Sequence, residues 1–256
     1  MTRSGDSLPM PKRVRTAAAL LIGNELLSGK IGDENLATLA RALRARGVSL
    51  DRAVVVRDDV DVISREVRAL SETHDWVFTS GGVGPTHDDV TIEGVARAFG
   101  AGVESSARME KLLADHYNEK LTEEHLLMAR CPIGCRLVAT DRVPWPTVLM
   151  HNVWVLPGVP WIFAMKLAAL EAEIAAETPF VTASARMRLE EPALKALLDR
   201  VVAEFPAVEV GSYPKWNDGD CKTKVTFDGR DEDAVRAARD AFTAGLPEGA
   251  LLGVEG

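Results

Sequence analysis

Thr79-Ser80-Gly81-Gly82-Val83-Gly84-Pro85-Thr86-His87-Asp88-Asp89-Val90-Thr91 gathers the residue types from which phosphate chemistry is built. Glycines lacking a Cβ let backbone N–H groups approach a phosphate, and the positive end of a following helix adds to the attraction. Asp88 and Asp89 set this loop apart from a passive cradle. Two carboxylates beside a phosphate repel it unless a divalent metal bridges them or one acts as a base. Helix capping accounts for one aspartate but not for two together with three glycines. Thr86 and His87 stand inside the loop as supports, and His87 could contact a phosphate or assist proton transfer. The stretch therefore points to chemistry on a phosphorylated ligand.

Two other segments carry similar residues. Gly23-Asn24-Glu25 interrupts an apolar run, so Gly23 lets a ligand reach the chain there, while Asn24 and Glu25 offer an amide and a carboxylate to a ribose, a ring edge or a metal. Asp33 suits a helix cap, and Asn35 falls in the first turn that follows. In Arg57-Asp58-Asp59, Asp59 suits a cap and leaves Asp58 free to share a cation with Asp89.

These segments must be held by an alternation of strands and helices. Thr16–Ile22 is a continuous apolar run that suits a strand buried on both faces. Val48–Arg57 is strand-like with Val54-Val55-Val56 at its centre, and Trp76–Ser80, opening on the apolar Trp76-Val77-Phe78, is a third strand. Residues 35–46, ended by Gly47, carry Leu36, Leu39, Ala40 and Leu43 on one helical face, and residues 60–70 carry Val60, Ile63, Val67 and Leu70. Such alternation predicts right-handed crossovers, a mostly parallel sheet covered on both faces, and a cleft at the strands' carboxyl ends. A helix is expected from Val90 to Phe99, a helical stretch over 106–130, and loops with short strands over 131–149. A strand at 152–156 leads through Pro157-Gly158-Val159-Pro160 into an apolar helix over 161–176. From 178 the pattern reads strand, helix, strand, strand, helix, a small α+β subdomain over 178–256. Residues 1–15 read as a disordered leader, and 16–177 as the main domain.

The net charge of −8 and the absence of a basic run with interleaved aromatics argue against a nucleic-acid partner. No apolar run approaches the roughly 18 residues that cross a bilayer. Three cysteines in C-x3-C plus one fit free thiols in a reducing cytoplasm rather than a zinc site. Trp145 and Trp161, each beside a proline, read as packing residues or as an aromatic wall.

Gly23-Asn24-Glu25-Leu26-Leu27-x-Gly29 with Asn35, Gly81-Gly82-x-Gly84-Pro85-Thr86-x-Asp88-Asp89-x-Thr91 and Leu156-Pro157-Gly158-x-Pro160 together resemble the molybdopterin-binding (MoaB/Mog) domain family. The resemblance is nearest to the branch of competence/damage-inducible protein A and the N-terminal part of eukaryotic FAD synthase. Gly211-Ser212-Tyr213-Pro214 resembles the small subdomain of the same FAD synthase segment. The resemblance implies a three-layer α/β Mog-like fold and a homo-oligomer. It implies a molybdopterin-like or adenine-dinucleotide ligand, bound by Gly23, Asn24, Glu25, Asn35, Ser80 to Gly82, Gly84 to His87, Pro157 and Gly158. In the adenylyltransferase relatives, positions matching Asp58 and Asp89 are those implicated in the reaction. In the nearer branch the implied activity is metal-dependent hydrolysis of the pyrophosphate bond of ADP-ribose or FAD. Asp58, Asp88 and Asp89 are then the expected ligands of a Mg, Mn or Co ion. A molybdopterin adenylyltransferase and a non-catalytic nucleotide or pterin carrier are the alternatives. Asn24 departs from the Asp of many relatives, and Trp161-Ile162-Phe163 stands where relatives commonly carry a Glu.

Overall fold

The computed structural model describes residues 15–141, 143–170, 173 and 178–256. Contacts divide the chain into two units, Met1–Glu177 and Thr178–Gly256. The expected leader lies, but for Arg15, outside the described residues, as do residues 171–172 and 174–177 at the end of the expected helix over 161–176.

The first unit runs β1 (Thr16–Ile22), α1 (Asn24–Leu27), α2 (Asn35–Arg44), β2 (Ser49–Val56), α3 (Val60–Thr73), β3 (Trp76–Ser80) and α4 (Thr91–Ala98). It continues with β4 (Val103–Ser105), α5 (Ala107–Tyr117), α6 (Glu123–Leu127), β5 (Arg130–Pro132), β6 (Arg136–Thr140), β7 (Val143–Met150), β8 (Val153–Leu156) and α7 (Pro160–Leu170). The main sheet has the order β2-β1-β3-β8-β7-β6, with the first four strands parallel and the last two antiparallel. β1 and β3 are buried along almost their whole length, which is why β1 and the Trp76-Val77-Phe78 start of β3 read as apolar runs.

Helices cover both faces. Leu39 and Leu43 of α2 and Phe163 and Leu167 of α7 pack on one side with Trp76 and Trp154, whose rings lie 5.7 Å apart. Ile63, Val67 and Leu70 of α3 and Val95 and Ala98 of α4 pack on the other. Each such aliphatic side chain contributes about 1.5–3 kcal/mol of burial, so a charged replacement at the fully buried Val67 would detach α3 from the sheet. Asp59 caps α3 as expected, its Oδ1 accepting the N–H groups of Asp61 and Val62 at 3.0 Å each.

β1 pairs with β2 on one side and β3 on the other, so the connections leaving β1 and β3 diverge. That divergence opens a crevice at the carboxyl ends of these two strands, where ligands of such sheets sit. The expected helix over 106–130 is broken: Asn118 ends α5 at a φ of 49°, a short 3₁₀ turn follows, and α6 is separate. A short helix, α1, occupies what reads as loop after Gly23.

The second unit comprises β9 (Val181–Met187), α8 (Glu191–Glu204), β10 (Glu209–Asp218), β11 (Cys221–Gly229), α9 (Glu232–Ala244) and β12 (Leu251–Glu255). Its antiparallel sheet, β10-β11-β9-β12, packs Ala185, Val225 and Phe227 against Leu194 and Val201 of α8 and Val235 and Phe242 of α9. The final strand, β12, is an addition to the expected β-α-β-β-α order; it pairs along β9 with an exposed edge.

Candidate ligand cleft at the switch point

Gly81 is the hinge on which the glycine loop leaves β3. Its φ of +104° lies in the range that L side chains avoid, and a Cβ there would stand 2.2 Å from the Ile22 carbonyl oxygen. The close approach of the β1 and β3 ends thus requires glycine. Gly81 N–H donates to Leu156 O at 3.1 Å. Thr91 fastens the loop's return, its hydroxyl donating to Gly81 O at 2.8 Å and its N–H to Gly82 O at 2.9 Å. The N–H groups of Gly82, Val83 and Gly84 find no protein acceptor among the described residues, which leaves three donors for an anion.

The carboxylates divide into two sets. Asp89 turns into its own loop, its Oδ2 accepting the Thr86 N–H at 2.8 Å and hydroxyl at 2.5 Å. The Thr86 hydroxyl also reaches Asp88 Oδ1 at 2.7 Å, and this bond holds the exposed Asp88 carboxyl below its ordinary range. Asp58 Oδ2 accepts the Asn24 N–H at 2.8 Å. Burial raises the Asp58 pKa, and the negative charges of Glu25 and Asp88 raise it further. Asp58 therefore lies beside Glu25 and Asp88, on the same edge of the sheet as the glycine loop. Among the described residues, however, no three His, Cys, Asp or Glu side chains are grouped to hold a metal. The expected trio of Asp58, Asp88 and Asp89 does not form such a group, because Thr86 draws Asp89 inward while Asn24 anchors Asp58.

The cleft has a volume of about 1140 Å³, against the roughly 300–1,000 Å³ usual for small-molecule sites. Of the expected site residues, Glu25, Asn35, Ser80, Gly81, Gly82, Gly84, Pro85, Thr86, Asp89, Pro157 and Gly158 line it. Gly23, Asn24, Asp58, His87 and Asp88 lie outside the lining. The Asn35 amide binds three segments together, its Nδ2 donating to Ser80 Oγ at 2.9 Å and to Gly158 O at 2.8 Å. Its Oδ1 is buried with no partner. The Gly158 carbonyl fixes which end of the amide is the donor.

Sequence reasoning missed Lys166 and Arg130. Lys166, only 5% exposed, faces the cleft from α7, and burial pulls its pKa down to about 8. Arg130 pairs with Glu93 in the cleft wall. Neither stands in a motif; Lys166 sits in an apolar helix, and that setting is the one signal that could have marked it.

A mostly parallel sheet covered on both faces, with a glycine-lined cleft at its switch point, defines an α/β domain of the Mog-like type. Residues 18–175 match the family described as probable molybdopterin binding domain, and residues 179–255 match the middle domain of FAD synthase. The chain belongs to the molybdopterin-binding domain family. It is 33% identical over 222 residues to a protein of Archaeoglobus fulgidus, covering 86% of this chain and 93% of that one. It is 30% identical over 259 residues to the probable FAD synthase of Caenorhabditis briggsae, covering 91% of this chain but 50% of that protein. The solved structure of the protein CinA from Thermoplasma acidophilum matches with a TM-score of 0.57 at 32% identity, spanning 62% of this chain and 98% of that one. Among the described residues, no helix is long and apolar enough to cross a membrane.

Proposed function

We propose that the cleft binds an adenine dinucleotide, ADP-ribose or FAD, and that the domain hydrolyses its pyrophosphate bond. The observation that carries this reading is that the N–H groups of Gly82 to Gly84, without a protein acceptor among the described residues, share one cleft with the carboxylates of Glu25 and Asp89. The donors suit phosphate oxygens. The acidic surroundings repel a bare diphosphate, so the substrate is its complex with a divalent ion, Mg, Mn or Co. In that complex the ion supplies charge neutralisation and an acidified water. The residues here do not form a metal cage of their own; they receive an ion already held by the diphosphate.

Glu25 and Asn24 orient the nucleotide, Asn35 ties the loops that surround it, and Asp58 and Asp89 are the residues assigned to the reaction. The printed names of the relatives support a flavin or adenine-dinucleotide ligand, since one is a probable FAD synthase and residues 179–255 match the middle domain of that enzyme. The family description favours a second reading, a molybdopterin adenylyltransferase, which transfers AMP from ATP to a pterin.

A panel of ADP-ribose, FAD, NAD and ATP with each divalent ion, read by AMP release, separates these readings. Release of AMP from ADP-ribose or FAD is expected, and Asp89→Ala should abolish it while the fold persists. AMP transfer that needs ATP and a pterin would favour the second reading. Tight binding without turnover in any metal would leave a carrier and overturn hydrolysis. The same proposal includes a homo-oligomer in solution, checked by sedimentation.

A further inference from the structure

The cleft has a second end that the glycine loop does not use. Met109, Leu113 and Tyr117 of α5, Leu127 and Met128 at the end of α6, and Trp145 of β7 line it. Met109 and Leu113 anchor an apolar cluster against which Tyr117, Met128 and Trp145 pack, so these residues form one continuous wall. The two rings in that wall are held in place. Tyr117 stacks on His125 with centroids 3.9 Å apart and 28° between planes, and His116 meets it edge-on at 4.8 Å. Trp145 is fixed through its backbone. The buried Lys166 Nζ donates to Trp145 O at 3.1 Å, Pro146 O at 2.9 Å and Thr147 Oγ1 at 3.3 Å. All three ammonium hydrogens are thus spent on the short segment that presents this tryptophan. A buried cation is costly to keep, and among the described residues no carboxylate pairs with it. What it secures is the position of Trp145.

We infer that this wall is a second subsite, which takes the planar ring of a dinucleotide whose diphosphate lies on the glycine loop. The ring it fits is a planar heteroaromatic one of the flavin type, in preference to a bare ribose. This inference rests on the diphosphate reading above and sharpens it. One cleft joins the glycine loop to the wall, so a single ligand can span both. Its volume exceeds what one mononucleotide needs. Aromatic faces and methionine thioethers give a flat ring area to stack on. A bare ribose has no flat face to lay against that area, so the wall favours a ring end over a sugar end. Trp145 and Tyr117 are then the specificity-determining residues, and Lys166 is a positioning residue acting through Trp145.

The test compares FAD with ADP-ribose, which share the adenosine and the diphosphate. Stopped-flow mixing in Mg²⁺ reads binding before turnover, with quenching of flavin fluorescence as the signature of stacking. The wild type should bind FAD more tightly than ADP-ribose and quench the flavin. Trp145→Leu and Tyr117→Leu should each lower the FAD to ADP-ribose preference about 5- to 100-fold, the range that ring stacking supplies. Trp145→Phe should restore most of it. Lys166→Met should weaken the quenching while ADP-ribose still binds, which a merely structural loss would not give. If Trp145→Leu and Tyr117→Leu weaken both ligands equally, or change neither, the flavin subsite is wrong and the diphosphate reading stands. If the wild type binds neither FAD nor ADP-ribose, the diphosphate reading fails and takes the subsite with it.

Discussion

Replacing Gly81 with alanine tests whether the two strand ends really meet as closely as the cleft requires. The substitution puts a Cβ on a residue at φ +104°, a strain of about 1–3 kcal/mol. The same Cβ would lie 2.2 Å from Ile22 O, a backbone atom that cannot rotate away. The β1 and β3 ends must therefore separate by roughly an ångström, the shortfall from an ordinary carbon–oxygen contact. Such a shift pulls on the Gly81 bond to Leu156 O and on the Thr91 bonds to Gly81 O and Gly82 O. Losing one or two of these buried bonds adds about 1–1.5 kcal/mol each. The sum is about 2–6 kcal/mol, a large part of the usual 5–15 kcal/mol of a domain. Urea unfolding followed by tryptophan fluorescence should show it, because Trp76 and Trp154 are buried in the same core. With a slope of about 2 kcal/mol per molar, the midpoint should fall by about 2 M. A variant within 1 kcal/mol of the wild type, still binding its nucleotide, would refute the reasoning.

Gly84→Ala separates function from fold. Its Cβ would stand 2.6 Å from Asp89 Oδ2, the end of a side chain that can turn away at the cost of its bonds from Thr86, so stability should stay within about 1–2 kcal/mol while AMP release falls about tenfold. Asp58→Asn keeps an acceptor for the Asn24 N–H but removes a charge that burial, Glu25 and Asp88 all disfavour. A carboxyl whose pKa is raised on folding costs stability once ionised, so at pH 7 the variant should melt no lower than the wild type. That advantage should vanish as the pH falls to the ordinary carboxyl value, and hydrolysis should be lost throughout. Lys166 has the opposite dependence. Its proton is held less tightly in the fold, near 8 against an ordinary 10.5, so the protonated form costs stability below pH 8. The wild type should gain up to about 3 kcal/mol on Lys166→Met's baseline between pH 8 and 10.5, measured by urea unfolding. A flat difference over that window would refute the shifted value.

The alternation of strands and helices was legible because each signal is local. Parallel strands buried on both faces are mostly apolar, as β1 and the Trp76-Val77-Phe78 start of β3 are, and an amphipathic helix shows its buried stripe every third or fourth residue, as α3 does. The Asp59 cap and Gly47, with its φ of 67°, could be read for the same reason, since both act within a few residues of themselves. The glycine loop was legible too, because its glycines and the adjoining strand and helix are consecutive in the chain. Less local features were not. The break between α5 and α6 rests on one non-glycine residue, Asn118, at a positive φ, inside a pattern that otherwise continues as helix. β12 has no buried face to impose an alternation, and it is a strand because β9 offers it an edge.

The site divides along the same line. By itself the sequence determined that Gly81 to Gly84 form a loop between a strand and a helix and that carboxylates follow three strand ends, because residue type and spacing fix both. Only the tertiary structure decided which carboxylates line the cleft. Asp58 is captured by a backbone N–H 34 residues away, and Asp89 is held by Thr86 within its own loop. Only the tertiary structure buried Lys166 as well, because the oxygens that hold its ammonium belong to a strand 19 to 21 residues earlier in the chain. A hydrogen-bonding group finds its partner by distance in space, and a sequence records distance along the chain.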